Sequence, residues 1–369
     1  MGALFHFQFG PLAWTRYALS TLLCVVVIAG VGLGGVALAA AVVVVIGTGF
    51  ALDELIGDEP ETAVAPAPAF CNANLYLAAP ALLLLSVVHM QGVSRTEAWR
   101  GEALLEMAAA GALVGYLYAL IGATVGHELV HRTQSKAALV SANILLAFTF
   151  NTSFTVFHLA GHHRYVATLR DPASARRGES WLAFFVRTVW SQTAMGWRLE
   201  SARLSRQNRS PLSWRNRVLL GQTLSLALVA GAYGLAGLRG MLAFLGTALI
   251  GRIAHELINY VQHYGLVRLG GHPVEARHTW NCKRLVSNAL QYNLPRHADH
   301  HLRPDREFWQ LKVNSAAPTL PYGYQTMAMM ALVPPVWRRS IGPRLTEWDR
   351  TKASDAERRA IAERGWDAL

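Results

Sequence analysis

Residues 17–52 read YALSTLLCVVVIAGVGLGGVALAAAVVVVIGTGFAL and contain no charged side chain. At about 1.5 Å per residue, one helix of this length would far exceed the roughly 30 Å hydrocarbon core of a bilayer. The run must therefore fold back, and its turn is predicted where glycines cluster, at Gly30, Gly32, Gly34 and Gly35. We expect two membrane-spanning helices here, near residues 13–30 and 34–51.

The rest of the chain also has the composition of a membrane protein. Hydrophobic residues make up 52% of it and charged residues only 15%, whereas soluble domains contain about 25% charged residues. A cleaved signal peptide does not explain the first run, because the apolar stretch is too long and no cleavage site is followed by a soluble domain. Further spans are predicted near residues 74–92, 103–126, 217–236 and 240–262.

One more apolar segment, residues 137–157, has the length of a seventh span. His131 precedes it and His158 follows it, so a crossing would separate two histidines that we expect to share a site. The polar residues Asn151 to Ser153 in its second half also favour a segment that dips in and returns. We therefore predict an all-α integral membrane protein with six transmembrane helices, a re-entrant or interfacial helix and a cytoplasmic histidine-rich cap.

The chain is predicted to form a single membrane-embedded domain, residues 1–369, in four parts. These are the first four spans (13–126), a basic cytoplasmic segment (127–216), the last two spans (217–262) and a cap with its tail (263–369). Lys and Arg concentrate in residues 164–217 and after His263, which places both termini and the histidines in the cytoplasm. The acidic loop at residues 51–73 is assigned to the same side, because acidic residues weigh little in this rule.

The net charge of +11 would suit a nucleic-acid partner, but the placement of the basic residues indicates other partners. The basic residues flank apolar spans and no aromatic–basic recognition module is present, so anionic lipid headgroups and an acidic soluble partner are the expected counterparts. The cysteines Cys24, Cys71 and Cys282 form no Cys-x-x-Cys pair. This pattern excludes a zinc ribbon, an iron–sulfur module or a rubredoxin-like module within the chain, and it predicts no disulfide.

Nine of the fourteen histidines fall into four short groups. The groups are HELVH (127–131), HLAGHH (158–163), the single histidine of NYVQHYG (259–265) and HADHH (297–301). Residues three or four apart share one face of a helix, and imidazole is the commonest side-chain metal ligand. The pattern predicts a polynuclear metal site beside the membrane.

Nine imidazoles exceed the capacity of one ion, so two metals are expected. The absence of sulfur ligands argues against a cuprous site and permits iron. Two irons with open positions suit the activation of dioxygen, and the neighbouring bilayer would supply an apolar substrate with a lipid-like C–H bond. A metal transporter or sensor is the non-enzymatic alternative, although transporters usually place their ligands near the bilayer midplane.

The four histidine motifs, HELVHR (127–132), HLAGHH (158–163), NYVQHYG (259–265) and RHADHH (296–301), resemble those of the membrane-bound alkane monooxygenases. The segment VATLRDPAS (166–174) also resembles the one that follows the second motif in that family. These enzymes are integral-membrane non-haem di-iron proteins related to fatty-acid desaturases. The resemblance extends over roughly residues 74–310.

Membership would imply hydroxylation of the terminal carbon of an alkane or related alkyl chain in a bacterial-type cell membrane. The reaction would use O2, two Fe ions and electrons from rubredoxin or a similar small carrier. A fatty-acyl or other hydrophobe desaturase or hydroxylase of the same superfamily is the alternative enzyme. The metal ligands implied by the resemblance are His127, His131, His158, His162, His163, His263, His297, His300 and His301.

The chain departs from the family pattern at three positions. Phe157 and Gln262 stand where the family usually has Glu before a ligating histidine, and Pro295 replaces a Gln. Two carboxylates that would orient imidazoles and balance positive charge are therefore missing.

Five other polar residues are candidates for orienting the ligands or the substrate. Glu128 and Asp299 lie inside the motifs and are expected to accept Nδ1–H bonds from ligating histidines. Glu256 is costly in a membrane span unless it faces the site or a polar cavity, so an orienting role and a helix-packing role both stay open. Asn259 and Gln262 belong to the third motif, and His255 is either a tenth imidazole of the site or an interior histidine.

Overall fold

The computed structural model describes residues 13–59, 67–96 and 100–366. In these ranges the chain is helical, with two isolated β-bridges. The longer helices are α1 (Ala13–Leu33), α2 (Gly35–Ile56), α3 (Pro68–Arg95), α4 (Gly101–Val130), α5 (Lys136–Ala147), α6 (154–165), α7 (Trp181–Ser205), α8 (Arg217–His263), α9 (Leu285–Leu290), α10 (His297–Leu302), α11 (Tyr324–Ala331), α12 (Pro334–Thr351) and α13 (Asp355–Ala362). Five of the described helices, α1 to α4 and α8, are long and apolar enough to cross a membrane.

Helices α1 and α2 form the hairpin that the uncharged run predicts. Gly34 and Gly35 adopt φ angles of +69° and +49°, a region that glycine enters without a steric penalty. Gly30 lets the two helices approach closely, because a Cβ atom there would lie 2.6 Å from the Cβ of Ala41. The predicted turn is confirmed, and it needs the glycines for both conformation and packing.

Helix α8 is broken near its middle. Ala236 has φ −142° and ψ 21°, and Gly237 has φ 61° and ψ −153°, neither of which is helical. A Cβ atom on Gly240 would lie 2.4 Å from the Ala232 carbonyl, so the chain doubles back tightly across the break. The halves on either side are about 28 and 39 Å long at the helical rise, which is enough for one crossing each.

The segment after His131 does not continue as a long helix. Helix α5 has 12 residues, about 18 Å, which is too short to cross the hydrocarbon core. The chain then turns at Phe150, which has φ 53°. The polar side chains of the turn are buried against α8, where Gln222 donates to the Thr152 hydroxyl over 3.2 Å. The chain therefore returns to the side from which it came.

The acidic residues at the end of α2 and directly after it lie against the basic cap. Glu59 accepts from Arg16 and from Arg296 of the cap, each over 2.5 Å, and its side chain is 2% exposed. Asp53 accepts from the backbone N–H of Ser287 over 2.8 Å. These contacts explain how an acidic loop shares a side with the histidine-rich cap. Residues 60–66 of this loop lie outside the described residues.

Aromatic side chains fix the cap to the end of α8. Trp280, Trp337 and Trp348 are each at most 2% exposed, and burying side chains of this size contributes a few kcal/mol each. The Trp280 indole donates to the Tyr264 carbonyl over 2.9 Å, and the Trp280 backbone N–H donates to the Gln262 carbonyl over 2.9 Å. The cap thereby holds the last turn of α8, and with it the third histidine motif.

Candidate metal centre

The first histidine motif ends helix α4. His127 and His131 are one turn apart and project from the same face, with ring centroids 5.2 Å apart. Close packing sets this turn, because a Cβ atom on Gly126 would lie 2.9 Å from the Leu146 side chain of α5. The expected pairing of the two histidines is therefore present.

The second motif has a different geometry from the one its spacing suggests. Residues His158–His162 form a π turn, in which positions five apart share a face. His158 accordingly faces His163, with their Nε2 atoms 3.0 Å apart, while the ring of His162 stacks on that of His158 with centroids 5.1 Å apart. The two histidines of the expected i,i+4 pair, His158 and His162, are therefore neighbours, but their ligand nitrogens belong to different groups of histidines.

The nine histidines form two groups whose ligand atoms lie within 4.8 Å of one another in each group. Cluster A contains His127, His131, His158, His163 and His300. Cluster B contains His162, His263, His297 and His301. The second and fourth motifs each contribute ligands to both clusters. The two clusters are therefore neighbours.

Three observations indicate that the residues of the two clusters fit bound metal ions. Adjacent nitrogens 3.0 to 3.1 Å apart match the separation of neighbouring ligands about 2.1 Å from one ion. The Nε2 atoms of His127 and His300 are buried and have no hydrogen-bond partner in the described protein. Burial, reinforced by neighbouring imidazoles, also holds the pKa of His300 well below its usual value, and neutral imidazole is the metal-binding form.

Asp171 orients one ligand of cluster B. Its Oδ2 lies 2.9 Å from His162 Nδ1 and accepts from the Ser174 hydroxyl over 2.7 Å. Burial alone would raise the pKa of Asp171, but His162, His263 and the Ser174 hydroxyl together outweigh it and the pKa is lowered. Such a carboxylate fixes the tautomer and direction of a ligating histidine. The sequence showed Asp171 only as part of the 166–174 segment and did not identify its role.

Glu128 and Asp299 do not take the role expected of them. Glu128 accepts from Arg132 and from the backbone N–H of Phe308, each over 3.3 Å. Asp299 accepts from Arg306 over 2.8 Å and from the backbone N–H of Lys312 over 2.9 Å. Each carboxylate points away from the ligands of its own motif, because adjacent helical positions differ by about 100° in direction. We therefore correct the expectation that they accept from ligating histidines.

A polar network surrounds Glu256 inside α8. Its carboxylate pairs with Arg252 at 2.9 Å and accepts from Gln192 and Asn259 over 3.0 Å each. The Asn259 amide nitrogen also lies 3.3 Å from His255 Nε2. Glu256 thus joins α8 to α7 and contacts no ligating histidine by a hydrogen bond. His255 belongs to neither cluster.

The residues that replace the family carboxylates are both buried. Phe157 is fully buried and packs close to Gly161, where a Cβ atom would lie 3.0 Å from its ring. Gln262 is 2% exposed, and its Nε2 has no hydrogen-bond partner in the described protein. Phe157 is therefore a packing residue, whereas Gln262 faces a cavity.

That cavity has a volume of about 610 Å³ and lies between α2, α4, α8 and the cap. Its wall follows α4 from Ala109 to His127, about 27 Å of helix. His127 and His158 of cluster A and His162 and His297 of cluster B all line it. Both clusters therefore face the same apolar space.

The cavity opens toward the outer surface of the helices. Ile46 of α2 and Met329 of α11 line the cavity, and they are 53% and 51% exposed. Because α2 is one of the apolar helices of membrane-spanning length, the opening between α2 and α11 would face lipid. An apolar molecule could enter the cavity from the bilayer by this route.

Comparison with known proteins is consistent with this site. The model of the fatty acid desaturase family matches residues 104–330. Alkane 1-monooxygenase 1 of Pseudomonas aeruginosa is 35% identical over 237 residues, which cover 63% of this chain and 62% of that relative. Alkane 1-monooxygenase of Acinetobacter baylyi is 35% identical over 243 residues, which cover 63% of this chain and 59% of that relative.

A further relative aligns over a longer stretch at lower identity. The xylene/toluene monooxygenase hydroxylase component XylM of Pseudomonas putida is 27% identical over 292 residues, which cover 79% of this chain and 78% of that relative. The alignments with the two alkane monooxygenases span less than two thirds of the length of those relatives.

Proposed function

The chain belongs to the fatty acid desaturase family, and from this we propose that it is a membrane-bound non-haem di-iron monooxygenase. It hydroxylates the terminal carbon of an alkane or related alkyl chain with O2. The observation that carries the proposal is the apolar cavity that reaches both histidine clusters. A cavity with apolar walls binds an alkyl substrate, whose C–H bonds are unreactive, better than it binds a hydrophilic substrate.

Iron suits the ligand set of this chain. All nine proposed ligands are imidazoles, and neither cluster contains a cysteine, so the soft ligands that select copper(I) are absent. Four or five imidazoles leave open coordination positions on an ion that accepts six ligands. Two bound irons would supply the activation of dioxygen.

The protein contributes binding, orientation and exclusion of water. The apolar wall formed by α2, α4 and α8 holds an extended alkyl chain with one end at the clusters. Asp171 holds His162 in a single direction, which keeps a ligand nitrogen aimed at its ion. Substrate enters laterally between Ile46 and Met329, so it need not leave the bilayer.

Electrons come from an acidic carrier such as rubredoxin, which we place on a basic surface next to the second histidine motif. A cleft there is lined by Arg164, Arg170, Arg268 and Arg364, and no acidic side chain lines it in the described protein. Arg164 directly follows His163 of cluster A. A basic surface of this kind favours an acidic partner and speeds its association at low salt.

We place the enzyme in the cell membrane with six passes and the histidines toward the cytoplasm. The break at Ala236 and Gly237 divides α8 into the fifth and sixth passes. A cysteine introduced at the exposed residue Gln134 should react with an impermeant maleimide only in inside-out vesicles. Reaction in right-side-out vesicles would contradict this orientation.

Product identification tests the proposed reaction most simply. Purified protein with iron, a reductant and O2 should convert an n-alkane to the primary alcohol, with oxygen-18 incorporated from labelled O2. An alkene product from a fatty-acyl substrate would identify a desaturase instead. Oxidation of xylene or toluene alone would favour the activity named for the longer-aligned relative. If none of these compounds gave an oxygen-dependent product, the proposed function would be wrong.

The length of the cavity along α4 should limit the length of the alkyl chain that the protein oxidises. Ala119→Phe would block the cavity about 12 Å from His127, so we expect activity on long alkanes to fall at least tenfold relative to short ones. Ala109→Phe adds the same ring at the far end, about 27 Å from His127, and should affect only the longest chains. The measurement is the ratio of initial rates over an alkane series, and identical profiles for the two variants would contradict it.

A further inference from the structure

Helix α7 has a buried ridge and an exposed ridge on opposite sides. The buried ridge has a side chain at every fourth position, namely Phe184, Thr188, Gln192, Gly196, Glu200 and Leu204. The outward ridge, offset by two residues or about 200° around the helix, runs from Leu182 to Arg206 in steps of four. Leu182, Val186 and Trp190 of this ridge are 57%, 65% and 77% exposed, and Arg198 and Arg206 are exposed as well. The outward ridge therefore changes along its length from apolar to basic.

Contacts with α8 place α7 at one edge of the bilayer. Gln192 donates to Glu256 over 3.0 Å, and Glu200 accepts from the backbone N–H of Arg217 over 2.9 Å. Arg217 and Glu256 each lie 19 residues from the break in α8 (217 to 236 and 237 to 256), which is about 28 Å of helix. The hydrocarbon core is roughly 30 Å thick, so with the break at its opposite edge α7 lies where the acyl chains end and the headgroups begin.

A pocket of about 430 Å³ lies between α7 and the loop that follows α6. Arg170 of the loop and Arg198 of the outward ridge line it, and no acidic side chain is among the described residues of its wall. Met195 and Leu199 of α7 contribute apolar surface to the same wall. We call this site the Arg170–Arg198 pocket. Its two cations beside apolar surface suit a ligand that is both anionic and amphiphilic.

The two arginines of the pocket differ from other arginines of α7 in lacking an acidic partner. Arg187 and Arg203 pair with carboxylates at 2.6 Å each. The Arg198 side chain donates to a backbone carbonyl of its own helix over 3.3 Å, and neither Arg170 nor Arg198 forms an ion pair within the described ranges. An exposed guanidinium without a carboxylate can bind an oxyanion, and its paired N–H groups match the geometry of a phosphate.

The charge of the pocket selects among lipid headgroups. A zwitterionic headgroup would bring an ammonium close to two guanidiniums, with no carboxylate in the described wall to accept it. Phosphatidylglycerol presents a phosphate without that repulsion. Basic side chains near a bilayer surface each strengthen binding to anionic lipid by about fivefold. A free phosphate ion would use the arginines but would leave the exposed apolar half of the outward ridge unexplained.

We propose that the Arg170–Arg198 pocket binds the phosphate of an anionic phospholipid from the leaflet beside the histidine clusters. The apolar half of the outward ridge lies among the acyl chains of that leaflet, and it ends at Trp190, a residue type enriched at this interface. The pocket shares no lining residue with the apolar cavity that reaches the clusters. Lipid binding there does not depend on the proposed reaction.

Native mass spectrometry of the full-length protein in detergent tests the proposal. The delipidated protein is titrated with phosphatidylglycerol or with phosphatidylethanolamine of the same acyl chains, and the affinity of the first bound lipid is measured. We expect phosphatidylglycerol to bind about tenfold more tightly, and Arg198→Gln to reduce this preference about fivefold. Arg198 does not line the cleft assigned to the electron carrier. The matched control is Arg359→Gln, which removes an exposed arginine of α13 and should keep the native preference.

Four results would overturn the proposal. The first is equal affinity for the two lipids, and the second is an unchanged preference in both Arg198→Gln and Arg170→Gln. An equal loss in Arg359→Gln is the third, since it would show a response to net charge instead of a binding site. The fourth is displacement of phosphatidylglycerol by millimolar inorganic phosphate, which would identify a site for the free ion. The variants should keep the unfolding temperature of the native protein, because the altered side chains are exposed.

Discussion

His301→Ala should lower the metal content from about two ions to about one per chain and abolish turnover. Cluster B has only four imidazoles, and His301 is one of them. Its Nε2 lies 3.1 Å from that of His297, so it occupies a neighbouring ligand position around the same ion. Removing it leaves three ligands, which hold an ion much less tightly.

Two matched variants test whether the loss of metal is specific to cluster B. His300→Ala changes the adjacent residue, but that imidazole belongs to cluster A, where four others remain. We therefore expect His300→Ala to weaken the other ion and to lose less metal. His255→Ala removes an imidazole that lines the same cavity and belongs to neither cluster, so both ions should stay. Two ions per chain in His301→Ala, measured by inductively coupled plasma mass spectrometry, would contradict the division into two clusters.

Asp171→Ala should weaken the ion of cluster B and reduce turnover, each by about 10–100-fold. Without this carboxylate His162 loses the partner of its Nδ1 atom and can rotate or change tautomer. Asp171→Asn keeps an acceptor of the same size for the Nδ1–H, so its loss should be smaller. The ion of cluster A should bind as in the native protein, which metal titration by competition with a chelator can resolve.

The control for this prediction is Asp299→Ala. Asp299 lies inside a histidine motif, but its carboxylate accepts from Arg306 and the backbone of Lys312 rather than from a histidine. We expect it to alter stability more than metal affinity. A larger loss of metal in Asp299→Ala than in Asp171→Ala would reverse our assignment of the orienting carboxylate.

The composition and the motifs of the sequence were sufficient for the coarse features of the molecule. The uncharged run and its glycines predicted the α1–α2 hairpin, since Gly34 and Gly35 adopt conformations that other residues avoid. The shared-site argument predicted that residues 137–157 return, and the Nε2 atoms of His131 and His158 lie 3.0 Å apart. The resemblance inferred from the four histidine motifs is confirmed by the match to the fatty acid desaturase family and by the alkane 1-monooxygenase relatives.

The division of ligands between the clusters needed the structure. The interpretation of the histidine spacing assumed an α-helix, in which residues three or four apart share a face. In the π turn at His158–His162, residues five apart share a face. Adjacency in sequence likewise pointed to Glu128 and Asp299, although neighbouring helical side chains point in different directions. Asp171 reaches His162 through a turn of the chain, a contact that no local pattern reveals. The lining of the cavity depends on contacts among distant helices and the cap, so it could not be predicted either.

Metal analysis of the purified, anaerobically handled protein tests the central claim most directly. Iron and zinc are quantified per chain alongside His301→Ala. The account predicts about two irons per native chain, little zinc, and the loss of one iron in the variant. A single tightly held zinc with no iron, or two irons that the variant retains, would contradict it.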